Sequence, residues 1–215
     1  MLTEQFYEMW FNNKMKPHAV NFENNFIEGY YTQRMDIVDL INDLYESEDQ
    51  AGKTMTGYVG TGKQKSDSYK ESKELRLDYY PEIMAKWEQH ILTPVLMAYV
   101  TKYPWALDVP AFTCHVEGTN IQEYNPGSKG YHRWHSERSN RATGHRHLVF
   151  MTYLNDVTDM GETEFWHQNV SVKPEAGLTL IFPSDWTYTH RGLGSPSQVK
   201  RFVTGWFSYQ ELSNE

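Results

Sequence analysis

The feature that most restricts the fold is a change of pattern between Pro104 and Pro110. Downstream of it the chain becomes a succession of short β-like runs divided by turn signals. The runs are AFTCHVEGTNIQEY (111–124), HLVFMTYLN (147–155), GETEFW (161–166), VSVKPEAG (170–177, a strand running into a turn), LTLIFP (178–183) and KRFVTGWFSY (200–209). YNPGSKG, NDVTDMG and KPEAG supply the Gly, Pro, Asn and Asp that reverse a chain. Several short strands at regular spacing build an antiparallel sandwich or barrel.

Upstream, two stretches carry helical periodicity. Met35 to Tyr45 puts Ile37, Val38, Leu40, Ile41 and Leu44 on one broad apolar face. Pro81 to Val100 opens with a proline suited to a first helical turn and continues with Ile83, Met84, Trp87, Ile91, Leu92, Leu96 and Val100. Pro94 interrupts it, which predicts a kink or a break. Between the two, Glu48 to Lys73 is polar and rich in Gly, Ser and Lys. It reads as a long mobile connection with a two-stranded finger around TGYVG, placed to act as a lid. The expected organisation is one domain over 1–215, with helical support and the finger in 1–108 and the β core in 109–215.

Composition removes several function classes. No apolar run approaches the roughly 20 residues needed to cross a bilayer, and MLTEQFYEMWFNNK lacks a signal-peptide core, so neither a membrane nor secretion is expected. A single cysteine, Cys114, excludes an intrachain disulfide and a multi-thiolate zinc site, in keeping with a reducing, cytoplasmic setting. The net charge of -8 argues against a broad grip on nucleic acid. GKQKSDSYKESK (62–73) is the one basic stretch, and it reads as a solvated loop.

The metal candidates lie among nine histidines. In YHRWHSE (131–137), His135 and Glu137 are two residues apart, so on a strand they share a face; His190, in THRG, can join them from a neighbouring strand. Two imidazoles and a carboxylate on one face of an octahedron leave three positions open, the ligand set of non-haem iron(II) oxygenases. Spacing alone favours ordinary surface or core histidines over a metal site. His132 is an odd number of residues from His135 and faces the other way on a strand. His145 and His147 form a rival HxH pair of the cupin type, with no later carboxylate and histidine to complete it.

Six blocks in order, YNPGSKGYHRWHSE, LVFMTYLND, MGETEFW, VKPEAGLTLIFP, THRG and KRFVTGWF, give the stretch from about Ile121 to Tyr209 a specific resemblance. It is similar to the catalytic half of the prolyl 4-hydroxylase-like oxygenases that use 2-oxoglutarate and iron(II), microbial and phage-encoded members in particular. The resemblance implies a mainly β fold with flanking helices and a double-stranded β-helix (jelly-roll, cupin-like) core. It implies iron held by His135, Glu137 and His190, with 2-oxoglutarate and dioxygen as cosubstrates and ascorbate in support. The usual carboxylate is Asp; Glu137 departs from it by one methylene and one more rotatable bond.

The same resemblance distributes the cosubstrate pocket. Lys200 or Arg201 pairs with the distal carboxylate of 2-oxoglutarate; adjacent strand residues face opposite ways, and alignment on Trp206 selects Lys200, with Thr204 and Trp206 on its face. Tyr124, Tyr153 and Thr163 match further pocket positions, Thr163 fitting plain core equally well. Arg146 matches a basic residue near the substrate mouth. The expected substrate is proline within a peptide or protein. The alternatives are a free amino acid or other small molecule, or a non-catalytic metal- or sugar-binding jelly roll.

Overall fold

A computed structural model describes residues 16–17, 25–57, 69–107 and 114–209. The strands are β1 (Lys16–Pro17), β2 (Glu28–Tyr31), β3 (Met55–Thr56), β4 (Lys73–Arg76), β5 (Cys114–Tyr124), β6 (Gly130–His135), β7 (Arg146–Tyr153), β8 (Thr163–Phe165), β9 (Val170–Val172), β10 (Leu178–Pro183), β11 (His190–Leu193) and β12 (Lys200–Tyr209). The helices are α1 (Met35–Gln50), α2 (Pro81–Trp87) and α3 (Thr93–Lys102). Eight strands form a major sheet in the order β1-β2-β10-β7-β12-β5-β4-β3, and four form a minor sheet, β6-β11-β8-β9, all pairs antiparallel. The turn-punctuated runs anticipate an antiparallel sandwich, and the two sheets are the double-stranded β-helix that the resemblance implies.

Strand alternation divides the apolar side chains between two cores. On β7, Leu148 and Phe150 face the helices while Val149, Met151 and Tyr153 face the minor sheet. On β12, Val203 and Phe207 join the helix layer, and Phe202 joins the inter-sheet layer. Parity therefore sends Lys200, Phe202, Thr204 and Trp206 inward and Arg201 outward, before any contact is considered.

Helix α1 runs five residues past the expected Tyr45, burying Ile37, Val38, Ile41 and Tyr45 against the major sheet. Asn42 on its inner side donates to the Leu154 carbonyl at 2.9 Å. The second helical stretch is broken as Pro94 predicts. Five π-helical residues, Glu88–Leu92, separate α2 from α3, and Pro94 lies in the first turn of α3. A proline offers no N–H to the carbonyl four residues earlier, so the wider turn falls just before it. Trp87, fully buried, anchors the break on Phe150 with ring centroids 5.4 Å apart.

The polar connection is shorter than the sequence suggests, because 48–50 are helical. Its two described ends pair, Met55 with Glu74 and Thr56 with Lys73, as the base of a finger does. Residues 58–68, and with them most of TGYVG and of the basic stretch, lie outside the described residues, as do 111–113 of the first predicted strand and the 108/109 boundary. Among the described residues no helix is long and apolar enough to cross a membrane.

Candidate metal and cosubstrate site

His135 closes β6 and His190 opens β11, and the two are register partners across the minor sheet. Glu137 lies two residues beyond the end of β6, so the expected strand alternation stops at His135; a bend delivers the carboxylate instead. Each imidazole is fixed in the same way. His135 Nδ1 lies 2.9 Å from the Arg133 carbonyl and His190 Nδ1 lies 2.9 Å from the Tyr188 carbonyl, so Nδ1–H donates and Nε2 keeps its lone pair. Both Nε2 atoms turn to one carboxylate oxygen: Glu137 Oε1 is 3.4 Å from His135 Nε2 and 3.6 Å from His190 Nε2. The three ligand atoms lie within 4.8 Å of one another, a spacing that a single ion can close.

The surroundings suit that role. Tyr131 stacks on His135 with centroids 3.7 Å apart, and Phe182 meets His190 at 5.0 Å. Burial lowers the His135 pKa, with the neighbouring His190 acting in the same sense, so the ring is neutral and free to coordinate near neutral pH. Burial alone would raise the Glu137 pKa, but its contacts with His135 and His190 outweigh that and hold the carboxylate well below its ordinary range.

A cavity of about 670 Å³ joins these ligands to Lys200, Tyr124, Thr163, Thr204, Trp206 and Arg146. Lys200 is 1% exposed. Its ammonium donates to the Leu193 carbonyl at 3.2 Å and has no carboxylate within ion-pairing distance among the described residues. Burial pushes its pKa down to about 7, with only the more distant Glu162 opposing. A buried cation without a counter-ion, facing a cavity, is a cradle for an anion. Tyr124 is its register partner on β5, buried, its hydroxyl 3.3 Å from Gln122 Oε1. Arg201 faces away, clamped to Glu123 at 2.5 Å and to Asn42 at 2.8 Å, and lies over the Tyr45 ring.

Of the ten expected site residues, Tyr153 alone does not line the cavity; it lies behind, donating its hydroxyl to Thr163 at 2.7 Å. Thr204 spends its hydroxyl on the Phe150 carbonyl, leaving its methyl as the wall. Arg146 reaches the cavity but is committed to Glu137 and Trp206. The histidines of the rival pair are taken up separately, His145 by Glu117 at 2.7 Å and His147 by the Ala106 carbonyl and Tyr209. His132 does not line the cavity.

Sequence reading missed several walls. Asn120 and Gln122 share the inward face of β5 with Tyr124, and counting in twos from Tyr124 would have found them. Lys70 and Glu74, ion-paired at the base of the finger, also line the cavity; no local pattern announces them, since they arrive by packing over the 128–130 turn.

Comparison with known proteins bears on this arrangement. Residues 119–208 match the family model of the 2OG-Fe(II) oxygenase superfamily. No curated protein matches. Among solved structures, the viral collagen prolyl hydroxylase of Paramecium Bursaria Chlorella virus-1, in its 2-oxoglutarate complex, is similar with a TM-score of 0.60 at 15% identity, covering 89% of this chain and 99% of that one. A Pseudomonas putida prolyl-4-hydroxylase gives 0.56 at 16%, covering 96% and 98%. A Trichoplax adhaerens prolyl hydroxylase, in complex with a peptide fragment of the hypoxia inducible factor oxygen degradation domain, gives 0.62 at 17%, covering 97% and 94%. At such identities the likeness carries the fold, while the family match falls on the strands that build the cavity. The match is thus confined to residues 119–208, and the cavity that their strands build, with its His135, Glu137 and His190 group, is that of a 2-oxoglutarate-dependent dioxygenase using iron(II) and dioxygen.

Proposed function

We propose that the protein hydroxylates a prolyl residue within a peptide or protein, with iron(II) held by His135, Glu137 and His190 and 2-oxoglutarate by Lys200 and Tyr124. The observation that carries the site is the buried, uncompensated Lys200 ammonium in the same cavity as three converging metal-ligating side chains. Bound iron(II) supplies the activation of dioxygen coupled to oxidative decarboxylation of 2-oxoglutarate to succinate and carbon dioxide. The protein's part is positional. His135 and His190 present neutral Nε2 atoms, Glu137 adds one negative charge, and Lys200 fixes the far end of the cosubstrate. Met151 and Phe202 give the cavity an apolar wall, and Thr163 and Thr204 shape its sides. Support for the prolyl substrate comes from the three similar folds, one of which is described with a peptide bound.

One observation favours a second reading. The Lys70–Glu74 pair and Arg133 on the cavity wall offer charges of both signs, which suits a free amino acid.

Aerobic incubation with iron(II), ascorbate and 2-oxoglutarate separates the two. A gain of one oxygen on proline-containing peptides, with stoichiometric succinate, supports the first; hydroxylation of free amino acids alone supports the second. His135→Ala and Glu137→Ala should each abolish succinate coupled to hydroxylation. Full activity in either refutes the ligand set.

A further inference from the structure

The two oxygens of Glu137 are not equivalent. Oε1 faces the imidazoles, whereas Oε2 faces a guanidinium, 3.4 Å from Nη1 of Arg146. The same Nη1 lies 3.3 Å from the Glu137 main-chain carbonyl. Arg146 is held on two further sides. Its Cζ is 3.4 Å from the Trp206 ring centroid, and its Nε is 3.7 Å from Glu117 Oε1. Glu117 is fixed in turn, its Oε2 2.5 Å from Ser208 Oγ and 2.7 Å from His145 Nε2. A planar fork lying on an indole, with carboxylates before and behind it, is held in one orientation by stacking and charge, although Nε itself makes no hydrogen bond among the described residues.

We propose that Arg146 is a positioning residue, which reserves Oε2 of Glu137 and so keeps this carboxylate on the metal through a single oxygen. The inference rests on the ligand set proposed above. A glutamate arm has one rotatable bond more than an aspartate arm, and carboxylates bind ions through either one or two oxygens. Released from Arg146, Oε2 can turn beside Oε1 onto the ion. It would then fill one of the three positions that a facial triad leaves open, and a bidentate cosubstrate plus dioxygen require all three. In this chain the arginine that the resemblance matches to a residue near the substrate mouth turns its Nη1 to the carboxylate ligand, with Glu117 as a second counter-ion behind it.

Mn(II) serves as the probe, because solvent-proton relaxation counts the waters on each bound ion independently of turnover. Wild-type protein loaded with Mn(II) should show three waters per ion, and Arg146→Met should show about a third fewer while still binding the ion. Arg146→Lys, which keeps the charge and stem but lacks the fork, should shift the same way and decides the matter if the methionine variant does not fold. A purely structural role predicts weaker Mn(II) binding with an unchanged water count. An unchanged count in a folded variant therefore overturns this inference and leaves the ligand set standing. Wild-type protein that takes up no Mn(II), or takes it up equally after His135→Ala, overturns the ligand set and this inference with it.

Discussion

At the scale of single residues, Lys200 makes the sharpest statement about pH. Its pKa is pushed from 10.5 to about 7 by burial, so the ligand-free fold favours the neutral amine. The unfolded chain still binds a proton up to its ordinary pKa. Stability is therefore lost as pH falls from about 10 towards 7 and stays level below that. Ligand-free Lys200→Met should melt above wild type at pH 7, with the gap closing as pH rises; thermal melts across that range test it. An incoming dicarboxylate reverses the preference by pairing with the ammonium, so 2-oxoglutarate should raise the wild-type melting temperature and leave the methionine variant unmoved. Cosubstrate affinity should weaken above pH 7, because each binding event must then also recruit a proton. Titration calorimetry in buffers of different ionisation heat would detect that uptake, and its absence would mean Lys200 does not meet the anion.

At the scale of elements, the β5–β12 ladder shows how a local irregularity aims a side chain. Thr204 pairs with Asn120 but Trp206 pairs with Glu117, so β5 carries an extra residue there. Gly118 takes φ +65° at that bulge, and a Cβ on it would lie 2.7 Å from the Trp206 ring. Gly118→Ala should cost about 1–3 kcal/mol in denaturant titrations and change the tryptophan emission, since the indole must move. The ladder also marks where sequence reading succeeds. Period two assigned Lys200, Thr204 and Trp206 to one face, because strand pleating is a property of the chain itself. It failed for Glu137, delivered by a bend; Tyr153, expected at the pocket from the resemblance alone, lies behind Thr163 rather than at the cavity wall. It was silent on Lys70, Glu74 and Glu117, whose positions depend on which strands become neighbours. Registry between distant strands is written in packing, and no window of residues contains it.

At the scale of the whole molecule, the helix layer is fastened to the barrel through the residue that parity turned outward. Arg201 joins Glu123 of β5 to Asn42 and Glu46 of α1, with side chains of Arg201 and Glu123 only 11% and 7% exposed. Arg201→Ala strands a buried carboxylate and should destabilise the fold by about 3–5 kcal/mol in urea titrations. The variant that remains folded should bind 2-oxoglutarate as wild type does, the opposite of Lys200→Met; a lost cosubstrate affinity would mean that the two neighbours exchange roles. The division of labour between the sheets has a mechanical outcome. The histidines come from β6 and β11 of the minor sheet, and Lys200 and Tyr124 from β12 and β5 of the major one. A cosubstrate gripped at both ends becomes a rivet through the barrel wall, so the breathing of the two sheets and the escape of the small molecule are a single motion.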